Sequence, residues 1–195
     1  MVADCSQRRQ RLRRATQKAH ASLDARIGEH GMLSSRESYQ AYLQAVWIAR
    51  RPLELALEHS TAAEVYPPWR ERDVSAALSQ DITDLSGRRP LDPPCGNRAS
   101  TPLTAAQALG VFYVLEGSAL GARVLEMRAL AIGMTPTFGA RHLARQTAQP
   151  KAWSVFVDIL DRAPLSAPDD LACVAAARAA FEAFELAFLS GANDR

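Results

Sequence analysis

Cysteine is scarce in this chain: Cys5, Cys95 and Cys173 are its three thiols among 195 residues. Their number is odd and their spacing fits neither a zinc ligand set nor a disulfide framework, so the chain reads as a reduced, cytoplasmic protein. No apolar stretch follows the early charges and no run reaches the length of a bilayer crossing, which argues against secretion and membrane insertion. An excess of one charge is also missing, since 23 lysines and arginines face 21 aspartates and glutamates for a net +2. That near balance leaves no electrostatic footprint for nucleic acid. Period-two alternation of β-branched and aromatic residues is essentially absent, as are internal repeats and low-complexity tracts. There is no glycine-rich phosphate loop, Gly-x-Ser-x-Gly elbow, His-Glu-x-x-His motif or pair of Glu-x-x-His elements, so hydrolase and di-metal chemistry have no basis here.

What is present is helical spacing of apolar residues through most of a chain that is 48% hydrophobic, enough for one all-helical domain spanning residues 1–195, with about 1–7 and 191–195 as flexible tails. A first helix is expected over about 7–27, ending near Gly28, and a second after Ser34, whose spacing to Glu37 fits a capping box. Pro52 is expected to kink or break that second helix. Pro67-Pro68 introduces a third that fades near Gly87, followed by a loop rich in proline, glycine and charge from Arg88 to about Ser100. Thr101-Pro102 has the form of an N-cap followed by proline, and opens a long helix that should stop near Gly133. Shorter helices are expected around Arg141 and Trp153, and Ser166 with Asp169 forms a further capping box before an alanine-rich helix to about Ser190.

The long helix carries Gly110, Gly117 and Gly121, each costing roughly 1 kcal/mol relative to alanine. At 3.6 residues per turn they share one face, leaving a strip of bare backbone. Two readings stand: a close helix–helix contact, or a flat, bulky ligand pressed against the strip.

Of the four histidines, His30 and His59 fall at a loop and a helix end, and His142 has no distinguishing pattern. His20 has Asp24 one turn later on the same face, where a carboxylate can accept the imidazole N–H, fix the tautomer and leave the other nitrogen for a metal. The competing reading is a surface i,i+4 pair worth a few tenths of a kcal/mol. Arg8, Arg9, Arg11, Arg13, Arg14 and Lys18 concentrate positive charge on the same segment, as a solvated helix face, a basic arm or a docking patch for something anionic.

These residues carry a resemblance. Leu12-Arg-Arg-Ala-Thr-Gln-Lys-Ala-His20 resembles the amino-terminal signature of heme oxygenases, a Leu-basic-x-x-Thr-x-x-x-His pattern whose histidine is the proximal heme ligand. Gly110-Val-x-Tyr-Val-Leu-Glu-Gly-Ser-x-Leu-Gly121 is similar to the distal helix of the family's bacterial branch, including heme oxygenases linked to bacteriophytochromes. Order and separation match, and the helical pattern agrees with the family's all-helical fold. The resemblance implies heme b as both substrate and cofactor, cleaved by dioxygen and electrons from an external donor to biliverdin, carbon monoxide and ferrous iron. His20 would be the axial ligand, Asp24 its partner, Gly117 and Gly121 the distal backbone wall, and Arg13 a contact for a heme propionate. A ferredoxin- or flavin-type reductase is the implied donor. The product would serve a bacteriophytochrome chromophore or iron acquisition.

Departures from the family pattern qualify these expectations. Ser118 stands where many members have an aspartate that orders the proton-delivering water, and a hydroxyl is a far weaker acid. Ala122 replaces a third glycine. The helix supplying further propionate anchors in animal relatives reads Trp153-Ser-Val-Phe-Val-Asp-Ile-Leu160, without basic residues, leaving Arg141, Arg145 and Lys151 as substitutes. Phe181 and Phe184 resemble aromatic positions of the last family helix, and core packing explains them equally well. Two rival functions follow: a heme-binding or heme-sensing protein without turnover, which Ser118 favours, and an enzyme of the same architecture acting on another small molecule.

Overall fold

The structure, a computed structural model, describes residues 6–29, 31–71, 74–91, 93 and 102–193. Its helices are α1 (Ser6–Glu29), α2 (Arg36–Glu58), α3 (Ala62–Val65), α4 (Val74–Ser86), α5 (Ala105–Ala131), α6 (Arg141–Thr147), α7 (Ala152–Arg162) and α8 (Ala167–Asn193), with a 3-10 turn at Pro67–Glu71. Among the described residues there are no strands, only isolated bridges within Thr135–Gly139. The all-helical expectation therefore holds.

Capping decides where these helices begin, and twice it does so away from the expected residue. At α2 the cap is Ser35 rather than Ser34: its hydroxyl accepts from Ser38 N, and Ser38 Oγ accepts from Ser35 N. The Ser34 hydroxyl instead donates to the Gly31 carbonyl. At α5 the cap is Thr104, in a capping box with Gln107, and Thr101 lies outside the described residues, as does most of the loop before it. The Ser166/Asp169 box forms as expected. Gly133, with φ of 85°, follows the Ile132 cap that closes α5.

Pro52 neither breaks α2 nor divides it; one helix runs through from Arg36 to Glu58. A proline there removes the N–H that would reach the carbonyl four residues back, at Ile48, and Ile48 is 48% exposed, so the loss falls on the solvent side.

At the centre lies α8, against which α1, α2 and α5 all pack. Arg8 meets Asp170 at one end of α1 and His20 meets Phe181 further along, so α1 and α8 run parallel. Tyr66, Phe112 and Phe156 form an aromatic cluster, with Tyr66 edge-on to Phe112 at 5.2 Å and to Phe156 at 5.3 Å between centroids. Each such pair contributes about 0.5–1.5 kcal/mol beyond its buried area. Phe181 and Phe184 are buried on α8, and Phe181 also edges His20.

The backbones of α5 and α8 touch at Gly110, where a Cβ would sit 2.1 Å from the Cys173 carbonyl oxygen and 3.0 Å from both the Ala176 Cβ and the Ala177 nitrogen. Backbone cannot yield as a flexible side chain does, so Gly110→Ala must push the two helices apart. The expected outcome is a destabilisation of about 1–3 kcal/mol in urea unfolding, although alanine is the better helix former. Stability equal to or above that of the unaltered protein would show that the contact tolerates a methyl group.

Candidate functional site

The register of α1 against α5 determines which residues can meet. Both helices lean on α8, and neither is the other's main packing partner. α5 also runs parallel to α8, because Ala106 and Leu109 share a cavity wall with Leu165 and Asp169 while Gly110 meets Cys173–Ala177. Tyr113 on α5 lies beside Thr16, Arg9 and Arg13 of α1, which oppose the upward shift that burial imposes on its phenol. With Thr16 level with Tyr113, His20, one turn beyond Thr16, comes level with Gly117, one turn beyond Tyr113. Arg9, Arg13, Thr16 and His20 share one face of α1.

Along this line the glycine strip divides into three environments. Gly110 is a helix–helix contact, as the packing reading required. At Gly117 a Cβ would sit 3.6 Å from Trp153 Cζ3, an ordinary contact, and Trp153 also packs on Tyr113 with centroids 5.6 Å apart. At Gly121 a Cβ would meet nothing within 4 Å. Bare backbone therefore faces open space at Gly121, and among the described residues no packing accounts for that glycine. A separate cavity of about 620 Å³, lined by Val65, Ala105, Leu109, Ile159 and Leu165 among others, lies toward the start of α5 and away from the open glycine face.

On the α1 side, His20 Nδ1 lies 2.8 Å from Asp24 Oδ2, with the two side chains 61% and 66% exposed. A pair so exposed adds little to stability. Its consequence is orientation: the carboxylate accepts a hydrogen bond from Nδ1–H, which leaves the Nε2 lone pair as a donor to a metal. Among the described residues no group of three or more His, Cys, Asp or Glu could enclose a metal ion by itself. A lone imidazole suits instead an iron that brings its own equatorial ligands, as heme does.

Ser118 borders the open strip on the α6 side. Its hydroxyl donates to the Leu115 carbonyl at 2.7 Å and meets the side-chain amide of Gln146, on α6, at 3.0 Å. In the sequence Tyr113 is only a position of the distal-helix motif and Trp153 only the start of a helix without basic residues, and nothing there marks Gln146.

The basic cluster divides by partner. Arg8 is 12% exposed, with Nε 2.6 Å from Asp170 Oδ1 and Nη1 donating to the Leu160 carbonyl, and Arg11 Nη2 lies 2.6 Å from Asp170 Oδ2. These two fasten α1 to the start of α8. Arg9, Arg13, Arg14 and Lys18 are exposed. Arg141 is equally committed: it bonds Asp81 and Asp84, so it is spoken for as a propionate anchor.

Asp81 is a buried hub with no exposed surface. It accepts from Arg141 N at 3.0 Å, from His142 N at 2.9 Å and from His142 Nδ1 at 2.8 Å, fixing the start of α6 on α4. His142 is itself fully buried and its Nε2 has no partner among the described residues. Burial pushes the imidazole below its ordinary value, aided by the Arg50 charge and opposed by Asp81.

The heme oxygenase family pattern matches residues 6–190 of this chain. A curated relative, heme oxygenase PigA of Pseudomonas aeruginosa, is 30% identical over 178 residues, covering 91% of this chain and 89% of its own. Among solved structures, the nitric oxide- and carbon monoxide-bound heme oxygenase of Neisseria meningitidis superposes with a TM-score of 0.80 at 24% identity, covering 93% of this chain and 90% of that one. The heme oxygenase of Leptospira interrogans gives 0.71 at 17% identity, covering 92% and 97%. The chain belongs to the heme oxygenase family. It is an enzyme of heme degradation, which removes the reading of an unrelated small-molecule enzyme and that of a protein without turnover.

His142 generates a pH prediction. Because its pKa is lower folded than unfolded, the unfolded chain takes up the extra proton as pH falls below about 6.5, and stability declines by up to about 1.4 kcal/mol per pH unit from this group. Urea unfolding at pH 7.5, 6.5 and 5.5 should show that slope in the unaltered protein and a shallower one in His142→Gln. Parallel pH dependences would place the proton elsewhere.

Proposed function

We propose that heme binds between α1 and α5, with His20 Nε2 as its axial ligand and the backbone of Gly117 and Gly121 as the opposite wall. The observation that carries this reading is Tyr113 beside Thr16, which puts His20 level with Gly117, one turn before Gly121, whose backbone meets nothing. Asp24 orients the imidazole. Arg13, beside Tyr113 at the level where α1 and α5 come together, supplies a cation and the tyrosine a hydroxyl for a propionate.

Bound there, heme supplies the iron that activates dioxygen and the ring that is opened, giving biliverdin, carbon monoxide and ferrous iron. The protein's own tasks are narrower. α1 and α5 hold the ring from both sides, Trp153 closes the strip beside Gly117, and Ser118 offers the polar group nearest the open wall. Ser118 holds a proton carrier rather than acting as the acid, since a hydroxyl does not ionise in the relevant range. Electrons come from an external reductase of ferredoxin or flavin type. Biliverdin passes to a photoreceptor such as a bacteriophytochrome, or the released iron is the useful product.

His20→Ala should abolish the histidine-type spectrum of the ferric heme complex, while His59→Ala keeps it. Asp24→Ala should retain the ligand with about ten- to a hundredfold loss in affinity or activity. Gly121→Leu should raise the stability of the heme-free protein, because leucine is the better helix former and its side chain meets open space, yet lower turnover. Product chromatography and heme titration measure both. An unaltered spectrum in His20→Ala, or normal turnover in Gly121→Leu, overturns the assignment.

The exposed cations carry the donor prediction. Soluble electron donors are commonly acidic, and Arg9, Arg14 and Lys18 form a positive surface beside the proposed ligand. Reversing these three to glutamate should slow turnover with a protein donor, most at low ionic strength, and leave turnover with ascorbate unchanged. Equal loss with both reductants would assign them to heme seating.

A further inference from the structure

We infer that Gln146 is a positioning residue for the distal side, acting through Ser118. Resting as it does on the placement of heme against Gly117 and Gly121, the inference adds a residue from another helix to that wall. A serine within a helix bonds its own chain, and it can reach the carbonyl three or four residues back from more than one rotamer. The Leu115 carbonyl therefore does not by itself determine where Ser118 Oγ points. The Gln146 amide, 3.0 Å away on α6, selects the rotamer that faces α6. In that contact Ser118 Oγ donates and Gln146 Oε1 accepts.

Gln146 can do this because it is itself held. Its residue is 8% exposed, and α6 is anchored at its start by Asp81, which accepts from Arg141 N and His142 N. Ser118, by contrast, is exposed. Its single hydrogen is directed to the Leu115 carbonyl and Gln146 Oε1, both acceptors, which leaves the Oγ lone pairs for a water. A water held there has a defined place beside the distal wall. This answers the replacement of the family's aspartate by Ser118: a weak group is made directional by a partner 28 residues further along the chain.

The test uses the ferric heme complex and its ferrous carbon monoxide complex, read by the midpoint of the alkaline spectral transition and by the infrared CO stretch. Neither readout needs turnover. Losing one neutral hydrogen bond from the distal side corresponds to a midpoint shift of about half a pH unit or more. Gln146→Leu should shift the midpoint and the CO band as Ser118→Ala does, and the double variant should match either single one. Thr147→Val, which removes the Thr147 Oγ1–Glu126 Oε2 hydrogen bond beyond Gln146 and touches neither Gln146 nor Ser118, should leave both at their original positions. The inference is overturned if Gln146→Leu changes neither readout, if its shift persists undiminished in the Ser118→Ala background, or if Thr147→Val reproduces it. Gly121→Leu, measured alongside, separates the two levels of argument. If it moves the CO band and Gln146→Leu does not, the positioning role alone fails; if it too leaves the band unmoved, heme does not lie on this wall and both readings fall.

Discussion

The contact between Gly110 and the Cys173 carbonyl is the constraint on which the rest of this molecule depends. It lets α5 lie backbone to backbone on α8, and α1 is fastened to that same helix by Arg8 and Arg11 on Asp170. Two parallel helices carried by one support have their relative height set by the support. The residues of the proposed site are thereby brought level, His20 with Gly117, without α1 and α5 packing closely on each other. A direct interface between them would give a tighter fold and no room for a ring.

The strong interactions are accordingly distant from the proposed heme site, and those at that site are weak. Asp81 is fully buried and accepts four hydrogen bonds, and Arg50 meets Glu54 at 2.5 Å with both side chains 8% exposed. Removing one partner of a buried, hydrogen-bonded pair costs about 3–5 kcal/mol. His20 and Asp24, at 61% and 66% exposure, contribute a small fraction of that. Such a division lets the two walls adjust to an arriving ligand while the frame stays fixed. α5 illustrates it within one helix: its first half is buried among the aromatics, whereas Leu120, Val124, Met127 and Leu130 of its second half are exposed.

Much of this was legible in the residues, and the failures have physical causes. Helix content, the close of α5 at Gly133 and the Ser166 cap follow from local rules that tertiary contacts do not override. The α2 and α5 caps were misplaced because several hydroxyl residues stand in succession, and only backbone geometry decides which one turns the chain. The break allowed for at Pro52 does not occur, because the cost of a missing N–H depends on whether the orphaned carbonyl is buried. The glycine strip was read as one surface because equal angular position hides unequal surroundings: helix periodicity cannot say that Gly110 meets a carbonyl and Gly121 meets nothing. The cluster of arginines was likewise read as one patch, and only the position of Asp170 separates its structural members from its exposed ones.

Tyr113, Trp153 and Gln146 show a different limit. Each owes its place to an element remote in sequence: Tyr113 to Thr16, Trp153 to Gly117, Gln146 to Ser118. A motif read along one helix records what that helix presents and is silent about what faces it. Residue-by-residue comparison therefore finds Ser118 deficient beside an aspartate, because it compares single side chains. Measured as a pair held by α6, the hydroxyl gains what an acid of that strength lacks, a fixed direction. Direction is what a proton carrier on a backbone wall requires, since the wall itself, built from glycine, has no side chain with which to place one.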